Sequence, residues 1–336
     1  MSAEVSVKSD HIQDILLHLK HFMPRGDKSL NITISVHDKK LYIACKQYML
    51  YKAYVGVADC EDVMVSVHYH DLLPFVKNSS ELTFNIESKS VTISTTSCSC
   101  TLGSSYDFDE VDFDVPEFDN LVVINNEEVF GSLRSFLKTM SLFTLYKKEH
   151  PFSIYNGVIL LKTPSVLIQG RCSSLNLNAV LTSEVLRTLI ELRPDNYCIQ
   201  GNSMYLLSKY YACVLPVQPI LEESIFVSLI PKVEPIRFQT GRFIDTLTAL
   251  TVMNPEFTNF NIFKDGISVN ASSAECKIND QLGLCTELVA TCRIPIELLN
   301  LAFKMLGANT NAEVLFERGI LCLRNQNISM LIRVLQ

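Results

Sequence analysis

Glu127-Glu128-Val129-Phe130-Gly131-Ser132-Leu133-Arg134-Ser135-Phe136-Leu137-Lys138-Thr139-Met140-Ser141-Leu142-Phe143 is the stretch on which the fold turns. Val129, Leu133, Phe136, Leu137 and Met140 recur at helical intervals. They paint one apolar stripe along an amphipathic helix that Asn126 is placed to cap. The stripe recurs as Ile12, Ile15, Leu16, Leu19 and Phe22 in a helix over Ser9–Phe22, and as Phe243, Leu247 and Leu250 in a helix over Thr240–Met253. Each copy continues with a turn, short alternating strands, a second shorter helix and another strand pair. A long unit occurring three times points to architecture rather than to a single catalytic pocket.

Within the first copy, Pro24 and Gly26 end the helix, and Leu30–Val36 and Leu41–Cys45 alternate as strands around Asp38-Lys39-Lys40. Tyr48–Val57 and Val63–His68 extend the sheet, Tyr69–Val76 is the short helix, and Leu82–Glu87 and Val91–Thr96 form a hairpin at Ser88-Lys89. The second copy has strands Phe152–Ile154 and Val158–Lys162 flanking Asn156-Gly157, the strongest hairpin signal in the chain. Val166–Arg171, a helix over Ser183–Leu192, and strands Tyr197–Gln200, Met204–Ser208 and Ala212–Val217 follow. The third copy has Phe260–Phe263 and Ile267–Ala271 around Lys264-Asp265-Gly266, then Leu288–Arg293, a helix over Ile296–Leu306, and strands Val314–Glu317, Ile320–Asn325 and Ser329–Leu335. The expected class is α+β, with three domains at 1–119, 120–232 and 233–336 of roughly 110 residues each, a comfortable domain size.

Bulk composition agrees. The chain has 336 residues, 48% of them hydrophobic, with 12 Gly and 12 Pro, which is globular rather than disordered. Eleven cysteines are scattered, and Cys60, Cys172, Cys213 and Cys322 lie in apolar or strand-like stretches, as free thiols do in a reducing compartment. Met1-Ser2-Ala3-Glu4-Val5 is no signal peptide and no apolar run reaches the length of a membrane span. A soluble, cytoplasmic protein is expected. Of the net charge of -7, residues 1–120 hold ten basic and eighteen acidic side chains. Seven acids fall in Asp107–Asp119, which reads as a solvated linker. Any DNA-binding surface must therefore be a segregated basic one.

A few letters add a resemblance. Leu229-Ile230-Pro231-Lys232 precedes the third copy, Phe263-Lys264-Asp265-Gly266-Ile267-Ser268-Val269 forms a strand-turn-strand, and Ser329–Gln336 ends the chain as an apolar strand. Gln169-Gly170-Arg171 stands in the second copy. With the order of elements, these resemble the bacterial-type DNA polymerase sliding clamp, the beta subunit or processivity factor. Gln169 replaces that family's acid, and Arg333-Val334 its Pro-Met ending. The chain is similar to a divergent member, for which a phage or plasmid origin fits.

The resemblance implies antiparallel sheets outside, helices inside, and two subunits closing head to tail into a ring around double-stranded DNA, loaded by an ATPase and tethering a replicative polymerase. It implies no cofactor, no metal and no catalysis. Ring closure needs helices that are basic away from the core. Lys20, His21 and Arg25 in the first copy, Arg134, Lys138 and Arg187 in the second, and Arg242 and Lys304 in the third lie off the apolar stripes or in adjoining turns, with Lys147 and Lys148 in the loop after the second long helix. Contacts of this kind neutralise phosphates without reading sequence. Basic residues also decorate polar helix faces for solubility alone. Asp14, Glu127, Glu128, Asp245 and Glu297 weaken the pattern.

By the same resemblance, polymerase and loader would dock hydrophobic peptide motifs against Gly170, Arg171, Leu177, Pro231, Met330, Leu331, Ile332, Val334 and Leu335. These residues also read as ordinary core and closing-strand residues. Ser97–Leu102 and Ala271–Lys277 are the expected subunit edges. His68-Tyr69-His70-Asp71 is the best metal-like string and Cys98-Ser99-Cys100 the best thiol pair, but neither has the partners that chemistry needs. P-loop, G-x-S-x-G and G-x-G-x-x-G motifs are lacking. Two other readings remain: a viral scaffold protein built of repeated units, and a clamp-like partner-binding protein that does not load on DNA.

Overall fold

The computed structural model describes residues 2–20, 30–46, 50–57, 62–76, 80–104, 118–124, 127–141, 151–163, 165–172, 175–220, 230–252, 256–264, 266–272, 277–281, 287–308 and 310–334. In chain order the elements begin with β1 (Ser2–Lys8), α1 (Ser9–Lys20), β2 (Asn31–His37), β3 (Lys40–Lys46), β4 (Leu50–Val57), β5 (Val63–His68), α2 (Tyr69–Val76), β6 (Glu81–Glu87), β7 (Ser90–Ser94), β8 (Ser99–Gly103) and β9 (Val122–Val123). The middle of the chain forms α3 (Glu127–Ser141), β10 (Phe152–Tyr155), β11 (Val158–Lys162), β12 (Val166–Arg171), β13 (Ala179–Leu181), α4 (Ser183–Leu192), β14 (Asn196–Gln200), β15 (Ser203–Leu207) and β16 (Tyr211–Pro216). The remainder forms β17 (Ile236–Gln239), α5 (Gly241–Val252), β18 (Phe257–Phe263), β19 (Ile267–Ser272), β20 (Lys277–Gln281), β21 (Leu288–Pro295), α6 (Ile296–Leu306), β22 (Asn311–Glu317), β23 (Ile320–Arg324) and β24 (Ile328–Arg333).

These elements gather into two compact units. Met1–Asn126 with Glu184–Gln218 forms one, Glu127–Ser183 with Pro219–Gln336 the other. The first contains a four-stranded sheet, β1-β6-β7-β8, and an eight-stranded sheet, β5-β2-β3-β4-β16-β15-β14-β9. The second contains an eight-stranded sheet, β13-β10-β11-β12-β24-β23-β22-β17, and a four-stranded sheet, β20-β19-β18-β21. The strands of the middle repeat are thus shared out. β16 pairs with β4 in one unit and β12 with β24 in the other, all antiparallel. Element order shows neither pairing, because Tyr51 and Cys213 face each other across a separation in sequence that only tertiary structure closes.

A strand ahead of each long helix was not expected from the sequence. β1 pairs with β6, β9 with β14 and β17 with β22. β1 alternates as strands do, with Ala3, Val5 and Val7 buried and Glu4, Ser6 and Lys8 exposed. Three turns use the left-handed backbone that two-residue hairpins require: Asp38-Lys39, Asn156-Gly157 and Arg318-Gly319 all have positive φ.

In the first unit, Ile12, Ile15, Leu16 and Leu19 of α1 are buried as their spacing demands, and Tyr69 Oη at the start of α2 donates to the Leu16 carbonyl at 3.0 Å. In the second unit, Phe243, Leu247 and Leu250 of α5 and Leu299, Phe303 and Leu306 of α6 are buried. The α3 stripe differs from expectation. Among its described side chains Val129, Phe130, Leu133 and Phe136 are buried while Leu137 is half-buried, so the core-facing side takes in Phe130; the side chain of Met140 lies outside the described residues. Gly131 sits exposed in mid-helix with open space where a Cβ would stand.

Candidate functional site

Five strands of the second unit build a cleft of about 780 Å³ on one face of the eight-stranded sheet, lined by residues of β12, β17, β22, β23 and β24 together with Ile230. Sheet register makes its floor. Arg237 stands opposite Glu313, Glu313 opposite Arg324, Arg324 opposite Ser329, and Ser329 opposite Gln169. Directly opposed side chains share a face and touch. Arg237 Nε donates to Glu313 Oε1 at 3.1 Å, and Arg324 donates to Glu313 Oε2 from both Nε and Nη2 at 2.8 Å. Asn325, Asn327 and Arg171 complete the polar rim.

One carboxylate held between two guanidiniums stays ionised more readily. The Arg324 hydrogen bonds, and then those of Arg237, hold Glu313 below its ordinary value of 4.5 against an opposing desolvation. A lowered folded pKa contributes stability above the unfolded value that is lost as pH falls through the folded one. Glu313→Gln should therefore lower the stability of this unit at neutral pH. The difference from wild type should shrink below pH 4.5 and vanish under the folded pKa. Urea melts at neutral and acid pH measure it; a pH-independent difference would mean that packing, not charge, is lost.

Beside the polar floor lies an apolar ledge. Leu160, Leu167, Leu315, Cys322 and Leu331 form a buried cluster against which Tyr155, Val158, Ile220, Ile230 and Ile320 pack, half-buried. Burial pushes the Cys322 thiol up to about 11, so it is an inert apolar filler. Ile230 belongs to both cluster and cleft.

Strand alternation sorts the residues expected to bind peptides. Leu331 lies on the cluster side with Leu167, whereas Met330 and Ile332 alternate to the opposite face and are buried there. Gly170 also points away from the cleft, because a Cβ on it would lie 2.5 Å from Phe136 Cδ2 of α3. Leu177, Pro231 and Val334 are buried. Arg171 lines the cleft. Leu335 lies outside the described residues.

Of the bases expected to face DNA, Lys20, Arg134, Lys138, Arg187 and Lys304 are exposed on α1, α3, α4 and α6. Arg134 and Lys138 stand one turn apart. Arg242 falls in α5 but its side chain is outside the described residues, as are His21, Arg25, Lys147 and Lys148. The six described helices, α2 included, expose Asp10, Asp14, Asp71, Glu127, Glu128, Glu184, Glu191, Asp245 and Glu297. Described exposed helix faces thus hold more acids than bases. Most of these acids occupy first turns, where the helix dipole favours them. His68 ends β5 and Asp71 lies in the first turn of α2. Among the described residues no group of three or more His, Cys, Asp or Glu could hold a metal ion. No described helix is long and apolar enough to cross a membrane.

No protein-family model matches the sequence, and no curated protein matches it. Solved structures do. The DNA polymerase III beta chain of Streptococcus pneumoniae TIGR4 is similar with a TM-score of 0.76 at 12% identity, covering 100% of both chains. The beta subunit of Thermotoga maritima gives 0.72 at 12% identity over 99% of each chain. The Helicobacter pylori beta clamp bound to a DNA ligase peptide gives 0.72 at 13% identity, over 99% of this chain and 100% of that one. At such identity the likeness establishes the fold. The chain is α+β, with extensive antiparallel sheets and six described helices in the arrangement of three-domain sliding clamps.

Proposed function

We propose that this chain is a non-catalytic sliding clamp of DNA replication. Three repeats, 1–119, 120–232 and 233–336, would close with a second copy into a ring around duplex DNA and tether a polymerase to it. The observation that carries the reading is a clamp fold matched end to end, over 99–100% of both chains, despite 12% identity. Enclosure needs little affinity, and weak sequence-independent phosphate contacts permit sliding. Tethering then raises the polymerase's effective concentration at the primer end. The cleft with its apolar ledge is the natural seat for partner peptides, since a groove with anchoring side chains suits an extended peptide. Among the described residues β8 and β20 each have a single neighbour in their sheets. β8 carries neither charge nor proline, the devices that blunt a free edge, which supports the proposed subunit edge at Ser97–Leu102; of the other proposed edge, Ala271–Lys277, residues 273–276 lie outside the described residues.

Retention on nicked circular against linear DNA, after loading by a clamp-loader ATPase, tests this. Release from linear DNA with retention on circles is expected; equal retention, or a strict monomer by sedimentation at high concentration, overturns it. Arg134→Glu with Lys138→Glu should weaken loading, and the salt dependence should become shallower by about two in log–log slope if both meet phosphates. An unchanged slope removes the pair from the DNA surface. The preponderance of acids on the exposed helix faces favours a second reading, a clamp-like protein that binds partner peptides without loading on DNA. Peptide binding with no retention on circles would select it.

A further inference from the structure

The basic surface demanded by an acidic chain stands on a sheet. Residues 31–57 hold four of the ten bases of residues 1–120, Lys39, Lys40, Lys46 and Lys52, against one of the eighteen acids, Asp38. Strand alternation places three of them together. Leu41, Ile43 and Cys45 of β3 and Tyr51 and Ala53 of β4 are buried, so Lys40, Tyr42, Lys46, Lys52 and Tyr54 take the other face. A bulge at Leu41/Tyr42 sets Tyr42 directly opposite Tyr54. Their rings meet at 64° with centroids 6.1 Å apart, and Lys52 Nζ lies 4.6 Å from the Tyr42 centroid. Both rings are half-buried, so each is fixed yet accessible, while Lys40 and Lys46 are exposed. Asp38 lies in the β2–β3 turn with its carboxylate 3.6 Å from His37, and its charge, after burial, pushes up the Tyr42 phenol, so it is the one acid the three lysines must outweigh.

We propose that this face of β3 and β4 binds single-stranded DNA, with Tyr42 and Tyr54 stacking unpaired bases and Lys40, Lys46 and Lys52 meeting the backbone. Paired rings on adjacent antiparallel strands, ringed by lysines, are the physical recipe for such binding, because every base has a π-face and every nucleotide a phosphate. A duplex hides its π-faces in the stack, so it would engage the lysines alone. An acidic peptide would likewise leave the tyrosines idle. The platform is separate from the cleft and needs no ring closure, so it stands or falls apart from the clamp reading.

Anisotropy of a labelled oligothymidylate of about 20 nucleotides, titrated with the full chain at about 50 mM salt, tests it. Wild type should bind. Tyr42→Ala with Tyr54→Ala should weaken binding by about tenfold or more. Tyr42→Phe should retain it, and Lys40→Ala with Lys46→Ala should flatten the salt dependence. Thermal melts check each variant's folding. An iododeoxyuridine-substituted oligonucleotide should crosslink to Tyr42 or Tyr54 in the unmutated chain, which decides the matter if the alanine pair fails to fold. No binding at low salt, tyrosine-independent binding, duplex or polyglutamate competing as well as the single strand, or crosslinks elsewhere only, would each overturn the platform.

Discussion

Phe303→Ala should lower the unfolding free energy of the second unit by about 3–5 kcal/mol, near the upper end of core truncations. Phe303 is fully buried on α6 and touches three other rings. Phe238 of β17 lies 5.6 Å away, Phe243 of α5 5.4 Å and Phe260 of β18 6.2 Å, centroid to centroid. The ring therefore joins both helices to strands of two different sheets. Its loss removes aromatic contacts worth about 0.5–1.5 kcal/mol per pair beyond burial and leaves a cavity that rigid strands cannot fill. Phe238→Ala removes a ring at the margin of the same cluster, 8% exposed, and should cost less. Denaturant melts combined with amide exchange in β18 and α6 would separate this unit's transition from the rest, since a two-unit chain need not unfold in one step. A loss under about 1 kcal/mol would mean that the cluster relaxes around the hole.

What the sequence conveys about such a core is its local part. The bounds of β5, α2, β12, α4 and α6 follow from periodicity and flanking turns and agree with the structure to the residue. β1 alternates just as clearly, but its place before a helix disguised it, and the two-residue β9 is too short to carry a period. The division of the middle repeat between two sheets was not legible, because it rests on the pairings of β16 with β4 and β24 with β12, which no local pattern specifies. The polar floor was half legible. Glu313 and Arg324 stand at equal distances from the Arg318-Gly319 turn, so hairpin register alone would have set them face to face. Arg237 arrives from a distant strand and could not have been added. The bases expected on helices were found exposed where described. The first-turn acids beside them answer to the helix dipole, which an apolar-stripe reading ignores.

Gly170 presents the sharpest conflict between a role in binding and a role in packing, and two substitutions separate them. Gly170 is the penultimate residue of β12, opposite Ile159 of β11 and Ile328 of β24. A Cβ there would lie 2.5 Å from Cδ2 and 2.7 Å from Cε2 of Phe136, distances no real side chain tolerates. Glycine thus serves close approach. Phe136 is itself buried and meets Phe152 edge-on at 6.0 Å, so the ring has little freedom to retreat. Gly170→Ala should cost about 1–3 kcal/mol through overpacking, and Phe136→Ala about 3–5 kcal/mol through a cavity. The double variant should lose less than the sum, because the new methyl enters the space the ring vacates; coupling on the order of 1 kcal/mol or more is expected for residues in contact. Additive losses would show that the strand shifts away from α3 instead. Partner-peptide affinity measured on the folded fraction of Gly170→Ala gives the other half of the answer. Unchanged affinity assigns Gly170 to the seam between β12 and α3, whereas a loss with Arg171 intact means that the peptide reads the position of the strand which that seam holds.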